Sequence, residues 1–596
     1  MQLKTLFAGT LALLSLAVHG ADQVQYQLTI TNATQHLAEV KVHFPASEKS
    51  EVIVQLPNWR TGKYQILPLA NGLRDVQAIS ADGKTLAIEK IDKSSWKIQT
   101  AAGQSFSVHY ELYANELGSR TRHISDSHAY LDASAVFVYN PAMRPLPISI
   151  TLNVPEGWQS RSGMDKGDCE HCFVARDYDQ LISAPIETGI HQFFSTKVDG
   201  RDIELLIWGE GNYDSAQMLK DLAVMVKTTN AMFDSLPYQK RYLFIVHATD
   251  GEGGATEHLN STVIQRPRWS FAPRKEYLKF MRTAAHEYFH TWNVKAYRPA
   301  GLVPYDYHQE NYSKLLWVAE GNTSYFDNLL TLQAGVQTEK EYLEELNGSL
   351  TRYFDTPGRF EQTAAESSFD EWIQPSGDRH QNAAVSIYTK GEMLGLVMDL
   401  KLRQASNGKR GLADVHKALY RAHRVEQGGY NSSDMLQILQ ALSDDDWQAF
   451  WRDYVEGVKE LPLLELLQAA GIERVAEKKA DDNNAFYWWG LEVESGSDKE
   501  FAKIKSVLKD SPAWKAGLTS SDILVAIDDV KVDAKSFAAR AQDVKDKPVT
   551  VRFFRHDRLR STALTAEPKA AEKFKLQAIE KPNRRQQRLR SAWLGK

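Results

Sequence analysis

The chain has 596 residues, 43% of them hydrophobic and 25% charged, with a formal net charge of -5. One hydrophobic core usually stops growing near roughly 250–300 residues, so several domains are expected. The charge balance gives no case for nucleic-acid binding, because no long basic stripe occurs before the C-terminal stretch.

At the N-terminus Lys4 precedes "LFAGTLALLSLAV", an apolar run too short to span a bilayer of about 30 Å. Val18 and Gly20 are small enough for a cleavage site, so residues 1–20 read as a secretory signal peptide. No second apolar run is long enough to span, which predicts a soluble periplasmic or secreted chain without a membrane span.

From 22 to 197 short β-rich runs such as "YQLTITN", "EVKVHF" and "ISITLNV" alternate as half-buried strands do, with Asn, Pro, Gly and Ser between them. An all-β, sandwich-like domain without a chemical motif is expected. The only cysteines, Cys169 and Cys172, sit in a loop-like "GDCEHCF", which favours a local disulfide or two thiols over a redox or metal motif.

A second domain is expected over 198–475, mostly helical after 276. It opens with the helical spacing of Met218, Leu222 and Met225, followed by the strand "RYLFIVHAT" and the turn "DGEGGATEH". "VAEKKADDNNA" reads as a linker over 475–485, and strands and short helices resume over 486–567. The basic stretch 568–596 reads as a solvated helix or a disordered tail.

The chemistry concentrates in "TAAHEYFHTW". Residues i and i+4 share a helix face, so His286 and His290 can offer nitrogens to one ion. Zinc takes imidazole well, and a catalytic site has three protein ligands and an open position. Glu287 is then placed as general base. Two histidines and a glutamate amid Ala284, Ala285, Phe289 and Trp292 are costly to bury without a partner, and a metal is the simplest one. The third ligand is expected from "KLLWVAEGNTSYFDNLLTL", where Glu320 is the acid of the apolar stretch and Asp327 a candidate supporting partner. One Zn2+ per chain follows.

These residues resemble a known group. "HEYFHTWNVKAYRP" is similar to the signature of the M61 glycyl aminopeptidase family, and "WVAEGNTSYF" to the third-ligand helix shared with the M1 aminopeptidases. The resemblance implies a thermolysin-like zinc-peptidase domain. "SIYTKGEMLG" resembles the M1 segment with the transition-state tyrosine, which implies that role for Tyr388. "GGATEH" resembles the strand holding a free amino terminus, which implies substrate binding by Gly253, Gly254 and Glu257. His258 stands where M1 enzymes have asparagine, and the gap from His290 to Glu320 is longer than in M1, which favours M61.

"WWGLEVE" with "SPAWKAGLTSSDILVAIDDVKV" resembles a bacterial PDZ domain, implying a carboxylate loop at Trp489, Gly490 and Leu491 that takes a peptide C-terminus. A module that only packs against the peptidase is the other reading. The expected activity is removal of small N-terminal residues, Gly or Ala, from peptides with a free N-terminus. A zinc endopeptidase, and a PDZ-based binding protein with non-catalytic zinc, are the alternatives.

Overall fold

A computed structural model describes residues 22–373, 377–475, 486–496, 500–569 and 575–595. The expected leader at 1–20 lies outside the described residues, as do 476–485 of the expected linker. Among the described residues no helix is long and apolar enough to cross a membrane.

The N-terminal domain is β-rich. In Gln104–Tyr113 the alternate residues Phe106, Val108, Tyr110 and Leu112 are buried, so a period of two puts one face into the core. An eight-stranded, a five-stranded and a three-stranded sheet make up this part of the chain. The strand Val24–Asn32 lies inside the largest sheet, parallel to Ile148–Asn153 and antiparallel to Leu37–Ser47. Cys169 and Cys172 are disulfide-bonded beside the strand Cys172–Ala175.

The second domain starts with a second kind of sheet. Its strands are β1 (Gln192–Val198), β2 (Arg201–Trp208), β3 (Arg241–Thr249), β4 (Gly254–Glu257) and β5 (Ser261–Pro267), in the order β1-β2-β3-β5-β4. The expected boundary at 197/198 therefore falls inside a strand: β1 pairs antiparallel with β2 and belongs to this sheet. Alternation looks the same on both sides of that border, and only the pairing partner assigns the strand. β4 pairs antiparallel with β5 and forms one edge.

Helix α1 (Ser215–Asn230) joins β2 to β3, with Met218, Leu222, Met225 and Val226 buried. Three further helices carry the site: α2 (Arg274–Phe289), α3 (Asn322–Gln333) and α4 (Ile387–Ala405). Their apolar faces share one hydrophobic cluster with β2 and β3.

The C-terminal module is a small β-sheet, including Leu491–Ser495, Ala502–Val507, Ile523–Ile527, Val549–Arg555 and Arg558–Leu564, with two short helices and a core of its own. It docks on the second domain through Asn382, which donates to the Val507 carbonyl at 2.8 Å and accepts from the Lys509 amide at 2.9 Å. The chain then returns: Ile472–Arg474 pairs antiparallel with Leu576–Ala578, so the module is inserted between two paired strands of the second domain.

The described part of the stretch 568–596, expected as a solvated helix or a disordered tail, includes a helix, but one docked by a buried edge. This is α5 (Arg584–Leu594), whose Leu589, Trp593 and Leu594 are buried in the hydrophobic cluster of the second domain. Trp593 Nε1 donates to the Tyr325 hydroxyl at 3.0 Å. One apolar edge on an otherwise basic helix suffices to dock it, and burying a side chain as large as Trp593 stabilises by about 3 kcal/mol.

Candidate metal centre and its surroundings

Helix geometry puts His286 and His290 one turn apart at the C-terminal end of α2, with ring centroids 4.7 Å apart. Glu320 comes from Trp317–Gly321, a π-helical turn that runs directly into α3. Glu320 Oε2 lies 3.5 Å from His286 Nε2 and 3.4 Å from His290 Nε2. With metal–ligand bonds of about 2.0–2.1 Å, atoms at two tetrahedral positions stand roughly 3.3–3.4 Å apart. The three donors are spaced for a shared ion, and the imidazole and carboxylate set suits zinc.

The far side of each ligand is fixed. His290 Nδ1 donates to the Asn293 carbonyl at 2.7 Å, which leaves its Nε2 lone pair for the centre. His286 Nδ1 is 3.2 Å from Asp327 Oδ2, as the sequence reading expected of that acid. Asn293 Nδ2 meets Val318 O, Ala319 O and Thr323 Oγ1 at 2.9, 3.1 and 3.0 Å, strapping the glutamate turn to the histidine helix. Tyr64, from the N-terminal domain, donates to Glu320 Oε1 at 2.5 Å. Burial opposes ionisation of Glu320, but the two histidines hold its carboxyl well below the usual range.

Glu287 is buried, and its Oε2 has no hydrogen-bond partner among the described residues. Burial pushes its carboxyl up to about 7, against the pull of His286 and His290. Tyr388 sits in the first turn of α4, which Ser386 caps by accepting from the Tyr388 and Thr389 amides. Its ring centroid is 6.3 Å from that of His286, and the side chain is 38% exposed. Two glycines make this approach possible. A Cβ on Gly391 would lie 2.4 Å from the Trp317 carbonyl oxygen, and one on Gly321 would lie 2.3 Å from Gly391 Cα. A cavity of about 520 Å³ opens beside His286, Glu287 and Tyr388. A larger one, of about 660 Å³, runs past Thr61 and Lys295 without reaching the histidines, so the smaller cavity is the relevant one.

Glu257 ends the edge strand β4, preceded by Gly253 and by Gly254 at φ +141°. Its side chain is buried and already faces a cation, Lys295 Nζ, 3.3 Å from Oε1. Gly62, at φ +76°, presses on it from the N-terminal domain: a Cβ there would stand 2.3 Å from Oε2. Lys295 Nζ also donates to Thr61 Oγ1 at 2.5 Å. The sequence reading missed this internal pair, and missed Tyr64 and Asn293. The run Asn293–Lys295 lay in the quoted signature, but nothing local told what each residue touches.

The residues expected at a carboxylate loop, Trp489, Gly490 and Leu491, lead into the strand Leu491–Ser495. Trp489 is buried in the core of the C-terminal module and donates to the Ala541 carbonyl at 3.3 Å. Gly490, at φ +74°, accepts from the Leu508 amide at 2.8 Å, and Leu491 pairs with Val507.

A second buried cluster escaped the sequence reading. His128 Nδ1 lies 2.8 Å from Glu187 Oε1, and His247 Nε2 lies 3.0 Å from Glu187 Oε2. His128 and Glu187 belong to the five-stranded sheet and His247 to β3, so the cluster ties the two domains together.

Comparison with known proteins agrees with this architecture. Residues 25–190 match the peptidase M61 N-terminal domain, and residues 279–394 match the M61 glycyl aminopeptidase domain. Among solved structures, an aminopeptidase N family protein from Idiomarina loihiensis is 27% identical, with a TM-score of 0.87 over 95% of this chain and 100% of that one. An M1 zinc metallopeptidase from Deinococcus radiodurans is 11% identical, with a TM-score of 0.48 over 74% of this chain and 95% of that one. No curated protein matches the chain by sequence.

Proposed function

We propose, on the premise that this chain belongs to the M61 glycyl aminopeptidase family and is a metallo-aminopeptidase, that it uses one zinc ion held by His286, His290 and Glu320. The observation that carries this is the spacing of the three donors at a tetrahedral edge, with the unpartnered acid Glu287 beside them. When bound, zinc supplies Lewis acidity at the scissile carbonyl and at the attacking water.

Every other step belongs to side chains. Glu287 Oε2 takes the proton of the attacking water and returns it to the leaving amine; burial tunes its carboxyl towards neutrality, where a base both accepts and releases. Tyr388 donates its hydroxyl to the oxyanion. Glu257 holds the substrate ammonium, sharing its charge with Lys295. The small residues Gly253 and Gly254 leave room for a substrate backbone along β4, and Gly or Ala at the N-terminus is the proposed preference.

The C-terminal module is proposed to be PDZ-like, with a groove for a peptide C-terminus, and the leader is proposed to deliver the chain to the periplasm or outside. Neither bears on the chemistry. The test is a panel of glycyl and alanyl amides, free and N-acetylated, with chelator and with zinc restored. Chelator-sensitive cleavage of free amides alone supports the reading. Equal cleavage of acetylated peptides would make the protein an endopeptidase.

A further inference from the structure

The first turn of α4 carries a buried cation besides Tyr388. Lys390 is 1% exposed, and its Nζ has no hydrogen-bond or ion-pair partner among the described residues. An ammonium has three donors and no acceptor, and it is among the costliest groups to bury with nothing to receive them. Lys390 lines a cavity of about 130 Å³, and its Nζ stands 5.5 Å from the ring centroid of Tyr353, which lines the same cavity. A cavity of about 150 Å³ takes a guest the size of benzene, so a small ligand has room here.

The walls define the ligand's charge. Among the described residues they include Lys390 and Arg359 but no acid. Glu460, outside the cavity, is already held by the Tyr353 hydroxyl at 2.8 Å and by Arg359 Nε at 3.0 Å. The acceptors of the wall are engaged too. The Val385 carbonyl accepts from Ser367 Oγ at 2.5 Å, and Ser386 Oγ accepts from the Tyr388 and Thr389 amides. Ser386, Thr389 and Lys390 belong to the start of a 19-residue helix, whose dipole adds positive potential at this end. Burial draws the Lys390 ammonium down to about 8, against the pull of Glu460, so it is charged at neutral pH. Thr389 also lines the cavity beside His286 and Tyr388, so the two cavities are neighbours at the first turn of α4.

We propose that this cavity is a binding site for one small oxyanion, a phosphate or a short carboxylate, anchored by Lys390. The anion supplies the acceptor oxygens and the opposite charge that the buried ammonium lacks. No step of the hydrolysis passes through the site, so the proposal stands apart from the aminopeptidase reading.

The test titrates the full, zinc-loaded chain with sodium phosphate or sodium acetate, each against sodium chloride at equal ionic strength, in a buffer free of other oxyanions. Thermal unfolding midpoints are read for the parent and for Lys390→Met, whose side chain is unbranched and uncharged. In the parent at least one of the two salts is expected to raise the midpoint saturably, by about 2–4 °C beyond chloride. The salt that responds identifies the class of anion. Lys390→Met is expected to lose that rise, and to melt at or above the parent without oxyanion, since it removes an unanswered charge. Crystals of the parent grown in the responding salt should hold the anion within hydrogen-bond distance of Lys390 Nζ, which decides the proposal even if the variant fails to fold. No rise beyond chloride, a rise that Lys390→Met keeps, or water alone beside Lys390 overturns it.

Discussion

Among the described residues two sets of two histidines and one glutamate stand out, one fully buried and one with His286 partly exposed, and they are built for different ends. At His286, His290 and Glu320 both imidazoles aim at the same carboxylate oxygen, from 3.5 and 3.4 Å. At His128, His247 and Glu187 each imidazole takes its own oxygen, at 2.8 and 3.0 Å, which are hydrogen-bond lengths. The outer nitrogens differ too. His128 Nε2 meets His123 Nδ1 at 2.9 Å, and His247 Nδ1 meets Gln265 Nε2 at 3.1 Å. Every nitrogen of these two imidazoles is therefore used. Trp208 stacks on His128 with centroids 3.4 Å apart and seals it. Residue type alone does not make a metal site. Convergence on one point, with an acid left idle beside it, separates the first set from the second.

The largest effect that would break this contrast is expected from Glu320→Ala. Two imidazoles hold zinc poorly, so metal content should fall from one equivalent to near zero and hydrolysis to background. Full zinc occupancy in that variant would mean the ion is held elsewhere, with the Glu187 cluster the first place to look. Glu287→Gln should keep its zinc and lose about 10²–10⁴ in kcat, because the second set has no counterpart of this idle acid. Near-normal turnover in the loaded variant would remove Glu287 from the mechanism.

Glu187→Ala should do the opposite: zinc content unchanged, but stability lower by about 3–5 kcal/mol, since two buried N–H donors lose their acceptor and the domains lose a tie. A chemical-denaturation midpoint equal to the parent's would deny the cluster that role. Tyr64→Phe removes one support of a ligand and should weaken zinc binding about 10–100-fold, read by competition with a chelator.

The smallest expected effect is on pH. Burial, then the neighbouring His128, push His123 down to about 4, and burial also lowers His128. A histidine kept neutral in the fold takes up its proton in the unfolded chain near 6.5. Its contribution is therefore complete above that value and is lost as pH falls towards 4. Glu187, which burial raises but the two histidines draw down to about 2, adds a further loss between its ordinary value near 4.5 and 2. Thermal melts should drop by a few degrees from pH 7 to 5, and less steeply in His123→Asn. A flat profile would show that the histidines carry no linked proton.

The sequence by itself determined the parts that obey a local period. The spacing of His286 and His290 states that they share a helix face, and Glu287 comes with them. Glu320 was legible because an acid in an apolar helical stretch needs a reason. Alternation announced the β-rich domain, though not that β1 belongs to the other sheet, because pairing partners leave no trace in a strand's own pattern. The rest depends on contacts between residues far apart in the chain. Tyr64 on Glu320 and Gly62 on Glu257 come from a domain whose sequence shows no chemical motif. Glu257 reads as open to a substrate cation until Lys295 is seen against it. The basic C-terminal stretch reads as solvated until Trp593 is found in the peptidase core. The physical reason is common to all of these. Local pattern records which face of an element is apolar, whereas the partner of a lone polar or aromatic side chain is set by how separate elements pack.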